Sequence, residues 1–494
     1  MRFNKPRNSN GCTGLSRRTL LAETGMGFTG LALSAMLAKD AGAQTAARPV
    51  SGAGSGPHFA PKAKTVIWIF LCGGVSHVES FDVKPELTKY GGKSIEDTPY
   101  RDALDQKKTD AIIVGGNPEH FNRKTIMPLQ TGYQRYGKCG LEVGDWFKNI
   151  GQHADDLAIV RSLWTLDNDH GAQLTFQTGR HVREGAHPTL GSWVCYGLGT
   201  LNQNLPEFVV LGQPTGDCCG GAWTYGGAYL GPQYAGVRLA TDPTHPLPFL
   251  SPSENKISAQ EQIEDFGLIG RLNRLKGIQY PDDQELKARI KAYELAFQMQ
   301  SAVPETLQIE RETEATRKMY GLDKPDTKSF GEQCLAARRL AERGVRFIQV
   351  FHGGGGGGAW DAHSDIKVNH TALSAQTDVP IAGLLQDLKQ RGMLQDTLIV
   401  WGTEFGRSPG AQGTGRDHHP NGFCAWLAGG GIKGGVQHGA TDELGFHAVS
   451  DRHYVTDIHA TVLHQLGVDS HRLEVPGRKR LDRDHGSVIK EIIA

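Results

Sequence analysis

Between Trp360 and Pro420 the chain sets out three polar clusters: Trp360-Asp361-Ala362-His363-Ser364-Asp365, Thr403-Glu404-Phe405-Gly406-Arg407-Ser408 and Gly415-Arg416-Asp417-His418-His419-Pro420. Carboxylates and imidazoles at this density are the donors a divalent cation takes from a protein. Asp361 and His363 are two residues apart, so an extended backbone turns both side chains the same way and lets them share an ion. His418 and His419 are adjacent and face opposite sides of an extended segment. One of the pair therefore reaches a metal while the other packs, and His419 is the favoured ligand. Glu404 and Arg407 offer a carboxylate for a cation and a guanidinium for an oxyanion, or else simply pair with each other.

Two earlier segments could complete such a site. Gly73-Gly74-Val75-Ser76-His77-Val78-Glu79-Ser80-Phe81-Asp82 follows an apolar run; its glycines admit a ligand closely, and His77 or Asp82 can supply a donor. Asn168-Asp169-His170-Gly171 precedes a helical pattern ending in Thr178-Gly179-Arg180, whose first turn would present free amides to an anion. Structural capping serves either segment equally well. The six glycines from Gly353 to Gly358 let the backbone approach a bound group and can flex as a gate.

The elements that must position these residues alternate. Thr65 to Leu71 is a continuous apolar run, the pattern of a strand buried on both faces, and its end opens into Cys72-Gly73-Gly74. Further strands are expected at Leu157 to Arg161, Glu207 to Leu211, Val345 to Phe351, Thr397 to Trp401 and Phe423 to Leu427. Helical patterns from Phe330 to Arg343 and from Ile381 to Arg391 each end at a glycine and lead into a strand. Such alternation predicts an α/β fold with a mostly parallel, doubly wound sheet, so that the polar clusters converge at one sheet edge. The stretch from Gly212 to Leu250 lacks periodicity and is followed by helical patterns over Ile257 to Tyr320. It reads as an insertion, at about 212–320, that covers one edge of the sheet.

Composition narrows the function. Lys plus Arg equals Asp plus Glu at 53 each, without a long basic stripe, which argues against nucleic acid as a partner. Arg2, Lys5, Arg7 and Ser16-Arg17-Arg18-Thr19-Leu20-Leu21 precede a short, Gly-containing apolar stretch and the small residues Ala41-Gly42-Ala43. This is the pattern of a twin-arginine signal peptide over residues 1–43, exported by the twin-arginine translocation machinery to the periplasm or beyond, with 44–60 a flexible leader and 61–494 the folded domain. The apolar stretch is too short and broken for a stable membrane span. Seven of the eight cysteines lie beyond Cys12, an odd number that does not make a complete disulfide framework. Cys218 and Cys219 are adjacent, awkward both for a metal site and for a mutual bridge.

The segments Gly73-Gly74-Val75-Ser76-His77, Asp361-Ala362-His363, Thr403-Glu404-Phe405-Gly406-Arg407 and Gly415-Arg416-Asp417-His418-His419-Pro420 resemble those of domain-of-unknown-function family 1501, whose sulfatase-like members are often exported by the twin-arginine route. That family is in turn similar to the alkaline phosphatase, sulfatase and phosphoglycerate mutase superfamily. The resemblance implies an alkaline phosphatase-like α/β sandwich with a metal-centred hydrolytic site. It implies Asp361, His363 and His419 as ligands of one metal and Glu404 as the carboxylate serving a second. It also puts Asp169 in the approximate place of the nucleophile. Three departures stand out: neither Cys nor Ser occurs within Asn168 to Gly171, Phe405 replaces a histidine, and Gly73-Gly74 replace acidic residues.

The expected function is hydrolysis of small-molecule or glycan sulfate or phosphate esters. One divalent ion of zinc, calcium or manganese type would serve it, with Arg407 and amides near His170 stabilising charge and His170 or His418 moving protons. The alternative is a non-catalytic surface protein that binds sulfated or phosphorylated glycans in the same cleft.

Overall fold

The computed structural model describes residues 56–105, 123–247, 259–279, 284–475 and 486–494. The twin-arginine segment, its cleavage site and most of the 44–60 leader lie outside them. Strand β1 (Thr65–Leu71) carries no Gly, Pro or charge, and all seven of its residues are buried, so neither face could be given to solvent without loss. The other strands of the large sheet are β2 (Leu157–Trp164), β3 (Phe208–Leu211), β4 (Val237–Leu239), β5 (Phe347–His352) and β6 (Thr397–Gly402). A hairpin, β7 (Gly406–Gln412) and β8 (Gly415–His419), stands apart and is followed by β9 (Phe423–Ala428), β10 (Val436–His438) and β11 (His453–Tyr454).

The nine-stranded sheet runs β10-β2-β9-β6-β1-β5-β3-β4, with β11 also on β2. Every pairing is parallel except those of β9, which opposes both β2 and β6. The expected mostly parallel α/β sheet is therefore present, with β1 near its centre. Two apolar layers cover its faces. One includes Ile67, Ile69, Leu71, Trp401 and Trp426, the other Val66, Trp68, Phe70, Val400 and Leu427. Successive residues of β1 thus enter opposite cores, as a strand's two-residue period requires.

The longer helices are α1 (Ala172–Thr178), α2 (Leu190–Leu198), α3 (Ala259–Gln279), α4 (Gln284–Thr306), α5 (Pro325–Glu342), α6 (Ile366–Gln390) and α7 (Val455–Gln465). Helix α6 begins well before the expected Ile381 because Pro380, a residue at home in a first helical turn, here lies inside the helix. The aperiodic stretch after Gly212 forms short 3-10 turns and then β4, which extends the sheet beside β3. Among the described residues no helix is long and apolar enough to cross a membrane.

Candidate metal centre

Four loops deliver the polar cluster. The β1 end supplies Gly73 and Gly74, the β5 end leads through the glycine run to Asp361 and His363, the β6 end supplies Glu404, and β8 supplies His418. His170, two residues before α1, closes the ring from the β2 side. Gly73, at φ +118°, lets these loops meet, since a Cβ there would lie 2.5 Å from the Asp361 nitrogen.

Asp361 is the hub. Its Oδ1 lies 3.0 Å from His363 Nε2, 3.1 Å from His418 Nε2 and 2.8 Å from Arg407 Nη2, and its Oδ2 lies 3.1 Å from His170 Nε2. Burial alone would raise its pKa, but hydrogen bonds from His170 and His363 and the Arg407 charge hold the carboxyl far below the usual range. His363 Nε2 and His418 Nε2 are themselves 3.0 Å apart. Atoms of His170, Asp361 and His418 able to ligate lie within 4.8 Å of one another.

The partners on the far sides of the rings fix where the lone pairs point. His418 Nδ1 lies 2.7 Å from the Asn168 carbonyl oxygen, which only accepts, so Nδ1 carries the hydrogen. Burial lowers its pKa to about 4, so the ring is neutral and its Nε2 lone pair faces the Asp361 carboxylate. His170 Nδ1 likewise donates to Glu404 Oε1 at 3.2 Å, turning Nε2 toward Asp361. Burial disfavours charge on His170, but the hydrogen bonds to Asp361 and Glu404 outweigh it and raise its pKa to about 9. A proton on His170 Nε2 is one answer to this convergence of acceptors; a shared cation answers it for all of them. Ligand atoms on a tetrahedral ion with bonds of about 2.0 Å lie roughly 3.3 Å apart, close to the separations seen here. The donor set of imidazoles and one carboxylate fits a divalent metal on this ground.

Glu404 belongs behind this cluster. It is fully buried, accepting from the Gly73 amide at 2.8 Å and from Gln173 Nε2 at 3.0 Å as well as from His170. A carboxylate that holds a ligating histidine's other nitrogen fixes the ring's tautomer and aim. Gln173, which also donates to the Gly357 carbonyl at 2.6 Å, was not anticipated, although it lies three residues after His170 on the same helical face.

Arg407 neither pairs with Glu404 nor opens toward solvent. Its guanidinium is fully buried and donates to the carbonyls of Gly73, Gly74 and Arg416 and to Asp361. Burial lowers its pKa despite the Asp361 charge. It clamps the loops that carry the cluster. Phe405 lays its ring 4.4 Å from the His418 ring centroid, an apolar wall beside the cluster.

The structure places four of the sequence-derived candidates elsewhere. His419 takes the opposite face of β8, where Nε2 donates to the Phe446 carbonyl, and its ring stacks on His77 at 6.1 Å. The alternation of the pair is as expected, but its phase is reversed, because His418 is the residue that faces Asn168 and Asp361. His77 donates to the Gly445 carbonyl at 2.8 Å, and Asp82 is paired with Lys84 at 3.0 Å and accepts from Thr441. Asp169 is exposed and accepts from the His170 amide at 2.8 Å, with a carboxylate beside the cluster rather than in it.

The chain belongs to the family described as "Protein of unknown function (DUF1501)", whose model matches residues 63–493. A comparison with curated proteins finds no match. Among solved structures it is similar to Ps i-CgsB, at 11% identity over 82% of this chain and 72% of that one with a TM-score of 0.35. It is similar also to the PsFucS1 sulfatase from Pseudoalteromonas sp., at 12% identity over 89% and 72% with a TM-score of 0.34. A TAB5 alkaline phosphatase variant with magnesium bound matches at 10% identity over 83% and 99%, with a TM-score of 0.29. These likenesses are remote, and nothing about activity rests on them.

Proposed function

We propose that this chain is an exported, metal-dependent hydrolase of sulfate or phosphate esters, with residues 1–43 as its twin-arginine signal, 61–494 as its domain and the periplasm or beyond as its compartment. The observation that supports it most is the convergence of His170 Nε2, His363 Nε2 and His418 Nε2 on the Asp361 carboxylate at 3.0–3.1 Å. His170, Asp361 and His418 would hold one divalent ion. When bound, such an ion polarises an ester oxygen and lowers the pKa of water.

The protein groups divide the remaining work. Glu404 and the Asn168 carbonyl hold His170 and His418 in the tautomers that aim Nε2 inward. His363, half-buried on the open side, has its pKa raised chiefly by Asp361, and from there it could pass a proton to a leaving oxygen. Asp169, exposed next to His170, would receive or deliver a proton, or attack, from beside the cluster. A cavity of about 400 Å³ bordered by Met127, Asp365, Ala411 and Thr414 opens along the β7–β8 hairpin and is of a size to take a sugar ring.

A non-catalytic reading is favoured by the closed environments of Glu404 and Arg407, which leave neither a second-metal carboxylate nor a free guanidinium. Chromogenic phosphate and sulfate esters, offered with zinc, manganese or calcium, separate the two. Turnover that disappears in Asp361→Ala supports the hydrolase; binding of sulfated glycan without any turnover supports the binder.

A further inference from the structure

Cys218 and Cys219 lie in a 3-10 turn between Gly216 and Gly220, and neither takes part in the cluster around Asp361. Neighbouring side chains in such a turn ordinarily diverge, yet the two Sγ atoms are 2.7 Å apart. Gly220, at φ +108°, gives the chain the sharp exit that this pinch requires. Cys218 is exposed and Cys219 buried, so one sulfur is open to attack from solvent while its partner waits beneath it.

From this geometry we infer that Cys218 and Cys219 form a reversible dithiol–disulfide couple, a modification site beside the glycine run. The co-reactant is a small-molecule disulfide. The Cys218 thiolate attacks one of its sulfurs, releasing one thiol; the Cys219 sulfur then attacks Cys218 Sγ, releasing the second thiol and closing the ring. Two protons and two electrons leave the protein, one S–S bond forms and one breaks. Adjacent Cα atoms are held at about 3.8 Å across a trans peptide, shorter than the usual disulfide span of about 4.4–6.8 Å, so the ring is strained and readily reduced again.

The couple reaches the glycine run through backbone bonds. The Gly216 amide donates to the Gly356 carbonyl at 3.3 Å, the Gly355 amide donates to the Pro214 carbonyl at 3.0 Å, and Cys218 Sγ lies 3.6 Å from that same Gly356 oxygen. Gly357 in turn abuts His170, since a Cβ on it would lie 2.7 Å from His170 Nε2. Closing the ring fixes the shelf on which Gly353 to Gly358 rest. The inference does not depend on a bound metal or on ester hydrolysis.

The test uses the full chain, reduced, freed of reductant, incubated with oxidised glutathione, then denatured and alkylated for peptide mass analysis. The peptide containing both cysteines is expected without alkyl groups and lighter by two hydrogens than its unalkylated reduced form, with both alkylation sites restored by dithiothreitol. Amide exchange at Gly216 and Gly355 is expected to slow in the oxidised protein. A peptide alkylated at both positions, one that retains glutathione on Cys218, or a bridge from Cys219 to a distant cysteine overturns the couple. Unchanged exchange at Gly216 and Gly355 in a protein shown to be oxidised overturns its link to the glycine run.

Discussion

His418 and His419 are chemically identical neighbours separated by the pleat of β8, and the pleat gives one of them the Asn168 carbonyl and the Asp361 carboxylate while the other receives Phe446 and His77. Substituting each in turn by phenylalanine should therefore have unequal effects. His418→Phe is expected to lower metal content sharply, whereas His419→Phe leaves it unchanged even if it costs stability; equal metal loss in the two variants would contradict this assignment. Glu404 acts one shell further out. Glu404→Gln keeps its shape but weakens its hold on His170 Nδ1, and a loss of about 10–100-fold in metal affinity, measured by competition with a chelating dye, is the expected outcome. Asp361 and His363 could be paired from their spacing alone. The phase of the histidine pair could not, because it depends on a carbonyl contributed by a residue 250 positions away.

At the scale of elements, the parallel strands were legible because buried strands carry runs such as TVIWIFL, which no amphipathic helix would carry. The β7–β8 hairpin was not. Its sequence contains Pro409 and several glycines, which argue against a strand, and its polar residues are buried by partners that come from elsewhere in the chain. Arg407 is what that hairpin contributes to the loops. Because its guanidinium is fully buried against three carbonyls and Asp361, Arg407→Lys cannot reproduce the fork, and a destabilisation of about 3–5 kcal/mol in urea unfolding is expected. A cost within experimental error would show that the clamp is dispensable. Gly73→Ala combines a positive φ with a Cβ 2.5 Å from a backbone nitrogen, so it should cost about 2 kcal/mol or more and loosen Asp361 with it.

At the scale of the whole molecule, burial of neutral imidazoles ties stability to pH. His352 and His459, neither of which faces the Asp361 carboxylate, have pKa values lowered to about 4, by desolvation first, with a partial offset from Gln376 and the Phe176 carbonyl respectively. The unfolded chain binds these protons near pH 6.5 and the folded one does not. Their contribution is therefore complete above about 6.5 and is lost as pH falls toward 4, with a combined slope of about 2.7 kcal/mol per pH unit in between. Urea midpoints measured from pH 7 to 4.5 should fall accordingly, and His459→Gln should flatten the fall; a flat wild-type profile would refute the argument. The measurement that bears most directly on the account is metal analysis of the purified protein and of Asp361→Ala. About one divalent ion per chain is expected in the former and none in the latter. A metal-free wild-type protein whose thermal midpoint does not move with zinc, manganese or calcium would contradict it.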